Sequence, residues 1–188
     1  MTKIVFLTAT HLESKDNFIM DYPIIYTGVG KIQSTMTTVD VIKNIKPDLI
    51  INFGSCGALS PDLELGRLLS VGVVHNDIDC TPKYEYGETP FQDNLKDIRL
   101  TFSNVSCITT DRFYDSSRKD YSKNFKKLVK KSHIVDMELY AIAQVCRNYK
   151  VECLSYKWIS DHGDISKWND GAISGYELFK ERMIKLYG

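Results

Sequence analysis

The chain has no excess of either charge: 24 lysines and arginines stand against 24 aspartates and glutamates in 188 residues. That balance offers nothing to a nucleic-acid backbone or an anionic membrane surface. No apolar run approaches the length of a membrane span. The opening MTKIVFLTAT has only Ile4–Leu7 as its apolar part and no A-x-A site after it, so it reads as a first strand rather than a secretory leader. Paired cysteines are lacking as well. The five cysteines, Cys56, Cys80, Cys107, Cys146 and Cys153, are odd in number and include no C-x-x-C. They are expected to be reduced core residues of a cytoplasmic protein. Repeats, low-complexity segments and linkers are absent, so residues 1–188 are expected to form a single domain. With 43% hydrophobic and 26% charged residues, the chain is long enough to bury a substantial core.

What is present alternates between strands and helices. Lys3–Thr8 reads as a buried strand opening into Ala9–Glu13, and Ile24–Tyr26 as a second strand before the turn Gly28-Val29-Gly30-Lys31. The turn lacks the third glycine of a dinucleotide fingerprint. Helical spacing through Ile32, Met36, Val39 and Ile42 must stop near Pro47. Asp48–Phe53 is a third strand and enters Gly54-Ser55-Cys56-Gly57, a backbone pocket for an anion or a sugar hydroxyl. No lysine has the spacing of a P-loop.

Leu68–Val74 reads as a fourth strand, and His75, Asp77 and Asp79 beyond it fall on one face without a further ligand to complete a metal site. Lys83–Leu100 reads as a long surface loop and Val105–Thr109 as a fifth strand. Ser122–Lys131 reads as a short amphipathic helix with a solvated basic face. Ile134–Glu138 leads into a helix through Ala141, Ile142, Val145 and Cys146, and Ala172–Leu186 closes the chain as a helix. The pattern predicts a three-layer α/β/α domain around a central mixed sheet.

The most informative stretch is LSYKWISDHGD, Leu154–Asp164. A short apolar run rich in β-branched and aromatic residues ends abruptly in small polar ones, as a buried strand does on leaving a sheet. Ligands of open α/β sheets bind just beyond such carboxyl ends. A carboxyl group held there in its protonated form can act as a general acid, which makes Asp161 a candidate. Equally, Ser160 or Asp161 would serve as a plain helix cap. Other strand ends deliver Glu13, Ser55, Asp111 and Glu138. Such a rim of carboxylates and hydroxyls, without a Ser-His-Asp pattern, suits a neutral polyol such as ribose and acid–base chemistry at a glycosidic bond.

At these residues the sequence resembles the nucleoside phosphorylase and nucleosidase family, and within it the 5′-methylthioadenosine/S-adenosylhomocysteine nucleosidases. Matching segments run in family order: Gly28–Lys31, Pro47–Gly57, His75–Asp79 with Tyr84–Gly87, Thr110–Phe113, Val135–Glu138 and Ile159–Asp161. The resemblance implies the acid reading of Asp161, which would protonate N7 of the leaving purine beside Ser160. It implies that Glu138 accepts hydrogen bonds from the ribose 2′ and 3′ hydroxyls, with Met137 against the sugar. It implies a purine-stacking Phe113, base contacts from the Tyr114 backbone, and a Glu13 that positions the attacking water with help from Ser55. No cofactor is implied; a homodimer is, with the loop Tyr84–Gly87 closing part of a neighbour's pocket.

Phosphorylases of this kind carry an arginine where Asn52 stands, and a G-D-P-x-R-type loop where this chain has Ala9–Glu13. Hydrolysis is therefore favoured over phosphorolysis, with a non-catalytic nucleoside-binding relative as the third reading. The chain also departs from the family. The segment from Glu13 to Gly28 is short, predicting loss of a hairpin, and Gly87–Val105 has no room for a helix. Thr10, Lys157 and Tyr114 replace the usual apolar residue, arginine and small aliphatic. Gly175 falls where an aromatic is expected over the 5′ substituent, leaving Trp168 or Tyr176 to substitute, so the 5′ group accepted stays open and extends to futalosine-like nucleosides.

Overall fold

A computed structural model describes residues 2–91 and 96–188. Strand β1 (Ile4–Thr8) is buried at every position and runs into a 3-10 turn, His11–Glu13. The hairpin expected to be missing is present in short form: β2 (Phe18–Ile19) lies antiparallel to β3 (Tyr22–Tyr26), which lies parallel to β1. Helix α1 (Lys31–Ile45) stops before Pro47 as expected, with Lys46 left-handed at φ 54°. Its buried face is Ser34, Thr38, Val41 and Ile42, so Ile32 and Met36 of the apolar spacing stand in solvent. Ser34 and Thr38 tolerate burial because their hydroxyls donate to carbonyls one turn back, Gly30 and Ser34.

Strand β4 (Leu49–Ala58) is twice as long as one made of its apolar run alone and carries the Gly54–Gly57 turn residues inside the sheet. The stretch Leu68–Val74 is two strands, β5 (Leu68–Ser70) and β6 (Val73–Asn76). The break falls at Gly72, packed so tightly on the Ser103 carbonyl that a Cβ would lie 1.7 Å from it. The presumed loop Lys83–Leu100 contains β7 (Asp97–Arg99), antiparallel to β6. Only Ile98 of its three residues is buried, too short an alternation to read from sequence. Residues 92–95 of that stretch lie outside the described residues.

Then follow β8 (Ser106–Thr109), α2 (Lys123–Val129), β9 (Ile134–Asp136), α3 (Leu139–Tyr149) and β10 (Glu152–Asp161). The closing helix is two helices, α4 (Ile165–Gly171) and α5 (Tyr176–Tyr187), separated by a turn. The sheet is mixed, ordered β2-β3-β1-β4-β9-β8-β6-β7, with β10 pairing β4 and β5 pairing β10. Helices α1 and α3 cover one face through Val41, Ile42, Ile142 and Val145. Helix α5 covers the other, where Phe179 stacks on Phe53 at 4.5 Å between ring centres. This is the expected three-layer arrangement. Burial of these aromatic and aliphatic faces, about 1.5–3 kcal/mol for each large side chain, is the main favourable term holding it.

Cys56, Cys107, Cys146 and Cys153 are buried as expected, but Cys80 is exposed because it follows the end of β6 in an irregular segment. Among the described residues, no helix is long and apolar enough to cross a membrane.

Candidate active site

The carboxyl ends of β1, β4, β8, β9 and β10 open onto one cavity of about 290 Å³. It is lined by Glu13, Ser55, Phe113, Tyr114, Met137, Glu138, Ser160 and Asp161, so every candidate site residue from the resemblance faces one space. Asp111 does not join them: it is exposed and pairs with Lys31 at 3.1 Å, since the chain turns outward after Thr110. His75, Asp77 and Asp79 stay apart too. His75 Nδ1 meets Asp97 at 2.8 Å, and Asp77 accepts a hydrogen bond from the Tyr86 hydroxyl.

Glu13 is held from all sides. Its Oε2 accepts from the Thr8 hydroxyl at 2.9 Å and from the Ala9 and Thr10 amides at 3.1 and 3.2 Å. Its Oε1 accepts from the Ser55 amide at 2.8 Å and the Ser55 hydroxyl at 2.6 Å. The same side chain completes a capping box with Thr10, so it caps the turn while lining the cavity. Close approach requires Gly54, whose φ of +149° suits glycine and whose added Cβ would sit 2.8 Å from Glu13 Oε1.

Asp161 is 1% exposed at the end of β10, where the pairing with β4 shifts register between Ile159 and Asp161. Its Oδ1 accepts from the Gly163 amide at 2.7 Å and the Asp164 amide at 3.3 Å. Its Oδ2 lies 2.8 Å from the Ser160 hydroxyl, which also reaches the Cys56 carbonyl at 3.1 Å. One hydroxyl proton serves only one of those acceptors at a time. Ser160 can thus donate to an ionised Asp161, or turn to Cys56 and accept from a protonated one. The expected helix cap is neither residue: Asp164 caps α4, accepting from the Ser166 amide at 3.0 Å.

Glu138 enters where β9 turns sharply into α3, and its Oε1 accepts the Gly30 amide at 2.8 Å. The Gly28–Lys31 turn therefore serves the site through its backbone. Burial first, then the neighbouring Asp136 carboxylate, pushes the Glu138 carboxyl up to about 8.

Sequence reasoning missed a buried ion pair behind these groups. Lys157 Nζ lies 2.9 Å from Asp136 Oδ2, with side-chain exposures of 3% and 1%. Asp136 also accepts from Thr109 Oγ1 at 2.7 Å and the Leu139 amide at 2.9 Å. Burial opposes the charge on Lys157, but Asp136, Glu138 and Glu13 together reverse that and raise its pKa above the ordinary value. A lone lysine in the apolar run Tyr156–Ile159 was the visible signal: a cation buried in a strand needs an anion across from it. Of the two aromatics expected to stand in for Gly175, Trp168 lines the cavity. Gly175 instead packs on the Trp158 ring, and Tyr176 is buried with its hydroxyl on Asp16 at 2.8 Å. Trp158 and Asp16 thus account for both positions without the cavity.

Residues 21–185 match the sequence pattern of the Phosphorylase superfamily. The chain belongs to that superfamily. A 5′-methylthioadenosine/S-adenosylhomocysteine nucleosidase of Staphylococcus aureus (strain MRSA252) is 29% identical over 97% of this chain and 85% of its own length. Among solved structures, the corresponding nucleosidase of Helicobacter pylori superposes with a TM-score of 0.80 at 20% identity, covering 98% of both chains. The futalosine hydrolase of the same organism gives 0.79 at 20% identity, covering 98% of each. These superpositions show that the chain shares the fold of those structures.

Proposed function

We propose that this chain is a purine nucleoside N-glycosidase that hydrolyses the ribose–base bond of 5′-methylthioadenosine, S-adenosylhomocysteine or a related adenosine derivative. The observation that carries this reading is the make-up of the cavity wall. Among the described residues, four acidic side chains line it, Glu13, Asp136, Glu138 and Asp161, and no arginine or lysine does. An anionic phosphate nucleophile has no partner there, whereas water and a ribose acquiring positive charge do. Asn52, in the position of the phosphorylase arginine, is buried and donates to the Leu7 carbonyl at 3.2 Å.

In the proposed reaction the C1′–N9 bond breaks and its electron pair moves into the purine ring, where N7 takes a proton from Asp161. Water adds to C1′ and yields its proton to Glu13. Glu138 accepts from the ribose hydroxyls, Met137 packs on the sugar, and Phe113 and Tyr114 hold the base. Proton exchange with solvent resets both carboxyls. A non-catalytic relative is disfavoured because Glu13, Glu138 and Asp161 converge on one cavity.

We also read the protein as a cytoplasmic homodimer without a cofactor. Ile32 and Met36 on α1 and Val29 in the turn before it are exposed apolar residues, Val29 also lining the cavity, which suits a two-fold contact. Tyr86 of the loop first assigned to that contact turns its hydroxyl to its own Asp77, leaving Tyr84 as the candidate. The deciding experiment is adenine release from a panel of adenosine derivatives, with and without phosphate. Release from none of them defeats the reading.

A further inference from the structure

The indole nitrogen of Trp168 lies 3.0 Å from Ser55 Oγ, and that hydroxyl lies 2.6 Å from Glu13 Oε1. We propose that Trp168 is a positioning residue of the hydrolytic site, locking the Ser55 hydroxyl so that it gives its proton to Glu13 and offers only a lone pair to the cavity. The inference rests on the nucleosidase reading above and specifies how its water is received.

A serine hydroxyl has one proton and two lone pairs. An indole N–H is a donor only, so one Ser55 lone pair must face Trp168. The proton then points at the Glu13 carboxylate, with which it makes a charge-assisted bond. The remaining lone pair faces the cavity that Ser55 lines. A water donating to that lone pair is held beside the carboxylate that removes its other proton. With the hydroxyl free to rotate, Ser55 would instead donate into the cavity and turn the water's lone pair away from C1′. A phenyl ring fills the same wall but cannot set the rotor.

The helix that carries the indole points the same way. None of the residues of α4 is buried, so a core does not hold it. Apart from Trp168, it is held by the Asp164 cap and by Gly171 pressed against the Ser160 carbonyl, where a Cβ would lie 2.2 Å away. The turn that launches α4 supplies the Gly163 and Asp164 amides bound by Asp161. One short helix is thus tied to the acid at its start and to the base through Trp168.

The test compares W168F with the wild type. The phenylalanine keeps an apolar ring on an exposed helix, so folding is retained. Loss of one hydrogen bond predicts a fall in kcat of about ten-fold with KM changed less than about two-fold. An independent readout needs no substrate. The chain has two tryptophans, and Trp158 donates to the Ala172 carbonyl at 3.1 Å. In ¹H–¹⁵N spectra, S55A is expected to shift the Trp168 indole resonance, assigned by its loss in W168F, and leave that of Trp158 in place. An unmoved Trp168 resonance in S55A, or a W168F enzyme with wild-type kcat, overturns the proposal. A wild-type chain that hydrolyses no purine nucleoside overturns the function itself, and with it the kinetic role assigned to Trp168.

Discussion

Lys157 and Asp136 bond to each other at 2.9 Å from β10 and β9, two strands that each pair with β4, and both side chains are buried. Removing one partner of such a pair strands a buried charge, which typically costs about 3–5 kcal/mol. We expect K157M and D136N each to lose stability of that order in chemical denaturation, and K157M/D136N, whose amide can still accept from the Leu139 amide, to recover much of it. Single variants within about 1 kcal/mol of the wild type would show that the pair is not held as described.

Asp161→Asn should leave the fold intact, because an amide still accepts from Gly163 and Asp164. It cannot supply the proton that the leaving purine needs. A positioned general acid commonly contributes about 10²–10⁴-fold, and kcat should fall by that factor. Turnover near that of the wild type on any purine nucleoside would remove Asp161 from the mechanism.

Glu138 sets the pH behaviour. Its folded carboxyl titrates near 8 against an ordinary 4.5, because burial and then Asp136 favour the neutral form. The folded state therefore holds its proton more tightly than the unfolded one. That contribution is complete below pH 4.5 and is lost as pH rises through about 8. Glu138→Gln, which stays neutral, should be more stable than the wild type at pH 9 by on the order of a few kcal/mol and nearly equal at pH 4. Ribose hydroxyls donating to Glu138 would favour its ionised form, so nucleoside binding at pH 7 should release protons. Calorimetry in buffers of different ionisation enthalpy reads that release, and a binding enthalpy independent of buffer would contradict it.

Phosphate should not accelerate the reaction, and free ribose derivatives should accumulate. The basis is a cavity wall with no arginine or lysine among the described residues, and the structural use of Asn52. A sugar 1-phosphate signal in phosphorus NMR would restore phosphorolysis.

The layered fold was legible because its strands are short apolar runs closed by small polar residues, and Leu154–Asp164 pointed to the site for the same reason. Helix α1 misled, since Ser34 and Thr38 are buried by bonding within their own helix, which apolar spacing cannot register. Strand β7 was invisible with one buried residue. Lys157 and Trp168 were in view as residues, but their partners Asp136 and Ser55 stand far off in the chain. Pairings of that kind depend on the sheet's register, not on local pattern.

The pairing of β10 with β4 joins residues 103 apart, as in the Ser155–Asn52 hydrogen bond at 3.2 Å. A chain still being synthesised can form the Glu13–Ser55 half of the site long before Asp161 arrives. Until then one side of β4, with Leu49, Ile50, Ile51 and Phe53, remains an open apolar edge of the kind that templates aggregation. Long-range parallel pairing also forms slowly. A chain cut or stalled before residue 152 would therefore leave an inactive, adhesive intermediate rather than a weak enzyme, which makes arrival of the last strand both the switch for activity and the safeguard of solubility.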